Sequence, residues 1–112
     1  LPILGNQPEA ILDAAKGRVG IIHMSDTMDH TASHGLRYIT NPPGNAVRVH
    51  QHLAIGDGDV DFGRMFSALK SNGFIDNPNS IICSSVFAEN ERAVEVAKYQ
   101  LAKIEELVAS VK

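Results

Sequence analysis

The sequence predicts an α/β fold built from parallel βα units, and three observations point to it. Residues 19–24 and 80–84 are short, nearly continuous apolar runs, as expected of strands covered on both faces. Segments with helical periodicity stand before, between and after these runs. Strands that alternate with helices imply parallel crossover connections.

The elements follow in chain order. Pro8 and Glu9 open the first helix, because proline suits a first helical turn and a carboxylate suits the positive end of the dipole. Ile11, Leu12, Ala14 and Ala15 give its buried side, and Gly17 stops it. The strand over 19–24 ends in the polar residues Ser25, Asp26 and Thr27. Residues 25–61 show no helical period and contain Asn41-Pro42-Pro43-Gly44, a turn signal. So long a connection is expected to be functional, irregular and ordered against the strand ends. Residues 47–53 alternate weakly and are expected to be a short extended segment.

Asp61 is placed to cap a second helix, with Val60 and Met65 at the two staple positions. Phe62, Met65, Phe66 and Leu69 form its apolar face, and Gly73 ends it. After the strand over 80–84, residues 89–111 form a long amphipathic helix. Val94, Ala97, Leu101, Ile104, Val108 and Val111 are expected on its inner face.

Two strands do not complete an α/β sheet. The order helix, strand, loop, helix, strand, helix fits the C-terminal fragment of a (β/α)8 barrel, about its seventh and eighth units. All of 1–112 would then lie within one barrel domain. In such a barrel one side of the strands, with Ile21, Ile81 and parts of Val19 and Cys83, faces the interior. The chain opens on Leu1-Pro2-Ile3-Leu4-Gly5, which reads as a polypeptide already under way. The rest of the barrel is therefore expected N-terminal to it. An open doubly wound sheet is the other architecture with this element order, but no glycine-rich phosphate turn follows either strand.

Composition narrows the function. The 112 residues are 44% hydrophobic and 21% charged, with a formal net charge of −3. This charge argues against a nucleic-acid-binding face, which needs clustered Lys and Arg. No apolar run approaches the roughly 20 residues that span a bilayer, so no membrane partner is expected. The single cysteine, Cys83, forms no internal disulfide, which fits a reducing, cytoplasmic setting. A homo-oligomer is compatible with the composition.

All five histidines, His23, His30, His34, His50 and His52, fall in one stretch. His23 ends a strand, and in parallel α/β folds the C-terminal strand ends carry the site. His50 and His52 are two residues apart, which puts both imidazoles on one side of an extended segment. Imidazole binds divalent ions such as Zn²⁺ and Mn²⁺. His30 and His34 read as solvated loop residues. Arg37 and Arg48 are candidate clamps for a phosphate or carboxylate. Asp26 is a candidate to orient His23 or to bind a substrate hydroxyl, with a turn cap as its structural alternative. Ser84 and Ser85, at the second strand end, are candidates to hydrogen-bond a sugar or phosphate. Gly56 and Gly58 shape the turn before the second helix. Cys83 reads as a small core residue.

These residues resemble a known family. Ile22-His23-Met24-Ser25-Asp26 resembles the His-x-x-Asp strand end of the xylose-isomerase-like barrel superfamily of sugar-phosphate isomerases, epimerases and apurinic-site endonucleases. His52-Leu53-Ala54-Ile55-Gly56-Asp57-Gly58-Asp59-Val60-Asp61-Phe62 resembles its H-x-x-x-G-x-G-x-[IV]-D-[FW] segment, and Gly73-Phe74 its G-[FY] step before the last strand. The stretch from Arg37 through Asn41-Pro42-Pro43-Gly44 to His52 is similar to a branch encoded with inositol-catabolism enzymes. The resemblance implies a TIM barrel with His23 as a metal ligand on the seventh strand. It also implies that His50 and His52 stand where the endonuclease branch has an Asp-x-His ligand pair. The metal would be Mn, Zn, Co or Mg. The family's last ligand is a Glu near the end of the eighth strand. Here that strand reads Ile82-Cys83-Ser84-Ser85, with no carboxylate.

The resulting expectation is a metal-dependent sugar or sugar-phosphate isomerase or epimerase of polyol catabolism. Its catalytic base is not identifiable in these residues. Two other readings stand beside it. One is a non-catalytic sugar-binding barrel, in line with the missing Glu. The other is a metal-dependent phosphodiesterase, against which the acidic balance weighs.

Overall fold

The computed structural model describes residues 7–27, 52–86 and 90–112. The elements run α1 (Pro8–Ala14), β1 (Ile21–Met24), α2 (Phe62–Asn72), β2 (Ile81–Ser84) and α3 (Ala93–Ser110), with a 3-10 turn, Asn90–Arg92, leading into α3. β1 and β2 pair in parallel, with Ile21 opposite Ile81, Ile22 opposite Ile82, His23 opposite Cys83 and Met24 opposite Ser84. α2 is thus the crossover helix of a βαβ unit.

Side-chain alternation divides the sheet into two faces. Met24 is buried, and Ile22 and Ile82 pack behind it on the helix side. That core contains Leu12 of α1, Phe62, Phe66, Ala68 and Leu69 of α2, Ile104 of α3, and Ile55 and Phe74 from the connections. On the other face Ile21 and Ile81 are 56% and 50% exposed. Among the described residues nothing covers this side, as the partial-barrel reading expects for an interior face.

α2 forms where its local signals place it. Asp61 caps it by accepting from the Arg64 N–H at 2.9 Å. Val60 and Met65 both pack on the core from the staple positions. Gly73, at φ 92°, ends the helix in the left-handed region, and its N–H and that of Phe74 bond the last carbonyls. α1 is shorter than its sequence signals suggested. Its inward side chains are Pro8 and Leu12, Ile11 and Ala15 are half-buried, and Ala14 is exposed.

α3 differs from expectation in the face it buries. Gln100 and Ile104 are its buried residues, while Val94 and Leu101 are 69% and 57% exposed. Only the C-terminal part of the expected stripe, Ile104, Val108 and Val111, meets the core. The cause is a polar anchor. Gln100 turns inward to bond the backbone of the loop before α2, and this rotates Val94 and Leu101 outward.

α1 is tied to α2 at the surface. The Arg64 guanidinium donates to both Glu9 carboxylate oxygens, at 2.7 and 2.8 Å, and also to Gln7 Oε1. The hydrogen bond from Arg64 holds the Glu9 carboxyl below its usual range. A lowered folded-state value gives stabilisation that is present above the unfolded value and lost as pH falls through the folded one. The pair is solvent-exposed, so its contribution is small. Glu9→Gln is expected to lower the unfolding midpoint slightly at pH 7 and not at all at a pH below the folded Glu9 pKa. Circular dichroism melts of both proteins across that range would show the difference closing as the solution is acidified.

Candidate functional site at the strand ends

The site is built on the loop between β1 and α2, and its organiser is Asp26. This residue is 1% exposed. Its carboxylate accepts four backbone N–H groups: Thr27 at 2.8 Å and Val60 at 3.1 Å on Oδ1, Gly56 at 2.9 Å and Gly58 at 3.0 Å on Oδ2. Its own backbone forms a two-way antiparallel bridge with Leu53, at 2.8 and 2.9 Å. The acceptor capacity of the carboxylate is therefore used within the protein. The structure gives Asp26 the work of shaping residues 53–60, the turn-capping alternative extended to a whole loop.

The two loop glycines serve this clamp. Gly56 has φ 102°, a conformation side chains disfavour. At Gly58 a Cβ would sit 2.5 Å from both Asp26 Oδ1 and the Thr27 carbonyl oxygen.

α3 grips the same loop from outside. Gln100 Oε1 accepts from the Ile55 N–H at 2.8 Å, and the Tyr99 hydroxyl donates to the Ile55 carbonyl at 2.6 Å. Neither residue stood out in the sequence. A glutamine four residues before Ile104 on the inner stripe was the available sign. Tyr99→Phe removes one neutral hydrogen bond from a partly buried carbonyl and is expected to cost about 1 kcal/mol. The shift of the urea unfolding midpoint at constant m-value measures it.

The clamp fixes His52, which directly precedes Leu53. His52 Nδ1 lies 2.9 Å from the Ser85 carbonyl oxygen and 3.2 Å from Ser85 Oγ. A carbonyl only accepts, so in this contact Nδ1 carries a proton and donates it to Ser85. The loop after β1 is thereby joined to the end of β2. His23 is exposed on the uncovered sheet face, in register with Cys83, which is half-buried on that same face and not in the helix-side core. Ser85 continues this face by alternation. Ser84 is in register with buried Met24 and so falls on the opposite side, away from His23.

The structure thus brings His52 and Ser85 together at one end of the sheet and leaves His23 on the face below them. His30, His34, Arg37, Arg48 and His50 lie outside the described residues, as do most of the expected extended segment 47–53 and the middle of the long loop. Among the described residues no group of three or more His, Cys, Asp or Glu side chains is placed to hold a metal ion. His23 and His52 are two donors of the right type, short of a complete metal centre.

A parallel βαβ unit backed by helices, with its polar constellation at the C-terminal strand ends, defines a parallel α/β protein. Residues 3–106 match the family described as xylose isomerase-like TIM barrel, and the chain belongs to that family. The family includes sugar isomerases and epimerases as well as members like the apurinic-site endonucleases. No curated protein and no solved structure matches the chain. No helix of the described residues is long and apolar enough to cross a membrane.

Proposed function

We propose that this chain forms the last two units of a sugar or sugar-phosphate isomerase or epimerase, of the kind that acts on polyol-derived, inositol-type substrates in the cytoplasm. The observation that carries the reading is His52. Its Nδ1 is anchored on Ser85, which holds the imidazole at the C-terminal ends of β1 and β2, the side of a barrel where its chemistry takes place. Isomerisation between adjacent carbons needs a group that accepts a proton from one carbon and returns it to the next. A histidine held in place at the mouth of a barrel has the right chemistry for such transfer. Ser85, beside it, offers a hydroxyl to a sugar oxygen, and His23 lies on the face lining the interior.

The assignment of Arg37 and Arg48 to a phosphate or carboxylate rests on side-chain type alone, and so does that of Ser84 to substrate. The proposed ion, one of Mn, Zn, Co or Mg, would use His23, His50 and His52 and would polarise substrate oxygens. Two of these three donors are described and do not by themselves form a centre, so proton movement at His52 is the step this chain supports.

The test is conversion of aldose, ketose and inositol-derived substrates, followed by NMR in deuterated water, with metal analysis of the purified protein. Deuterium incorporation at the carbon next to the carbonyl, lost in His52→Ala, is expected. Turnover without His52 dependence would remove the reading. One observation favours a second reading: β2 and its end carry no carboxylate. A barrel that binds sugar without converting it would show saturable binding in calorimetry and no exchange.

A further inference from the structure

We propose that Tyr99 and Gln100 of α3 are positioning residues for His52: through the backbone of Ile55 they set where the imidazole stands against Ser85. The inference rests on the reading of His52 as the proton-transfer group and adds the helix on which that transfer depends.

Residues 52–56 are laced between three elements. His52 is held by Ser85, just past β2. Leu53 is held by the backbone of Asp26, just past β1. Ile55 is held by α3, where the Tyr99 hydroxyl donates to its carbonyl and Gln100 Oε1 accepts its N–H. The Ile55 side chain is buried in the core, so this residue is fixed at three points. The next N–H, that of Gly56, goes back to Asp26 Oδ2. The Asp26–Leu53 contact is a single isolated bridge. One bridge fixes one point of a chain and leaves the chain able to pivot there. The grip of α3 on Ile55, two residues further, removes the pivot. His52 lies three residues from Ile55, at most about 10 Å of extended chain, so the same grip fixes the direction in which its ring leaves the backbone.

Gln100 has the features of a residue kept for position and not for stability. It is 0% exposed, and its Nε2 is buried with no partner among the described residues. A buried amide with a donor unpaired is costly. Methionine, of similar length, would remove that donor but would strip the Ile55 N–H of its acceptor. The two changes oppose each other in stability, and only the second touches the loop. Tyr99 is 41% exposed, so burial is a minor part of its role. Its hydroxyl lies 3.4 Å from where a Cβ on Gly56 would stand, and so packs directly on the loop.

The test reads the His52 Nδ1 proton by NMR, beside urea unfolding and sugar turnover. In the wild type this proton should exchange slowly, as its bond to Ser85 requires. Gln100→Met should leave the urea midpoint close to that of wild type and speed the exchange about tenfold, roughly the factor that one lost hydrogen bond gives. Tyr99→Phe should speed it as well, and Lys98→Ala, on the exposed side of α3, should not. Where sugar is converted, both positioning variants should lower kcat and leave KM unchanged. Free exchange in the wild type, or exchange unmoved in Gln100→Met and Tyr99→Phe, would overturn the proposal. So would acceleration that only tracks a fall in the urea midpoint, which is what a purely structural contact gives. A wild type that converts no sugar removes the functional reading and leaves the exchange measurement to decide the positioning.

Discussion

Asp26→Ala is expected to destabilise the protein by about 3–5 kcal/mol and to release the loop from β1 to α2. Hydrogen bonds to a charged acceptor contribute about 1.5–3 kcal/mol each, and buried donors left without one cost a similar amount. Four N–H groups lose their acceptor at once, those of Thr27, Gly56, Gly58 and Val60. Water entering the vacated space recovers part of the loss, which keeps the total below the simple sum. Asp26→Asn should fall between wild type and alanine. One carboxylate oxygen becomes an NH₂ group and then faces N–H donors. The local readout is amide hydrogen exchange at Gly56, Gly58 and Val60, which should accelerate far more than at Phe66 or Leu69 in the core. Slow exchange retained at those three amides would show that something other than the carboxylate holds the loop.

This clamp separates what the sequence made legible from what it hid. The βα alternation, the α2 boundaries from Asp61 to Gly73, and the glycines as turn-shaping residues were all readable, because each rests on local chemistry. A cap, a staple and a left-handed stop act within a few residues. Strand alternation, which is local, also puts Ile21 and Ile81 together on the face away from the helices, whereas Val19, expected with them, packs against the helix-side core. For Asp26 a turn-capping role was legible as one alternative, but not the reach of that role. Nothing near position 26 reveals that the N–H groups of residues 56, 58 and 60, some thirty positions later, converge on it. The inner face of α3 was misread for a related reason. Apolar periodicity favoured Val94 and Leu101, whereas a hydrogen bond between residues 45 apart turned Gln100 inward. Long-range polar contacts leave little trace in hydrophobic spacing. Cys83 lies on the same face as Ile21 and Ile81, in register with His23, as strand alternation places it.

The resemblance that placed His23, His50 and His52 in one metal site concerned residue types in a family pattern, and the structure describes His23 and His52 of the three. His52 is held at the strand ends by two devices, the Asp26–Leu53 bridge on its backbone and Ser85 on its ring. Among the described residues, His23 is held by its place in β1. If the proposed chemistry belongs to His52, disturbing the loop clamp should impair it even where no site residue is touched.

Gly58→Ala tests that connection and is expected to be among the most damaging single-methyl additions in the chain. The new Cβ would stand 2.5 Å from Asp26 Oδ1 and from the Thr27 carbonyl oxygen, and 2.7 Å from the Thr27 carbonyl carbon. Two of these atoms are backbone and cannot rotate aside. The third belongs to a carboxylate fixed by four hydrogen bonds. Relief requires the loop to back away from Asp26, which lengthens the bonds from Gly56, Gly58 and Val60 together. Overpacking of a tight site costs about 1–3 kcal/mol, and the upper end is expected because the clash and the lost hydrogen bonds add. The effect should not add to that of Asp26→Ala. Once the carboxylate is gone, one of the three close atoms is removed and the loop is already loose. The double variant should therefore lie nearer Asp26→Ala alone than the sum of the singles, as a double-mutant cycle for touching residues gives. Urea unfolding of the four proteins measures the coupling, and the His52 imidazole resonances report whether its bond to Ser85 survives. Full additivity, with the His52 signals unmoved in Gly58→Ala, would mean that the loop and His52 are held independently.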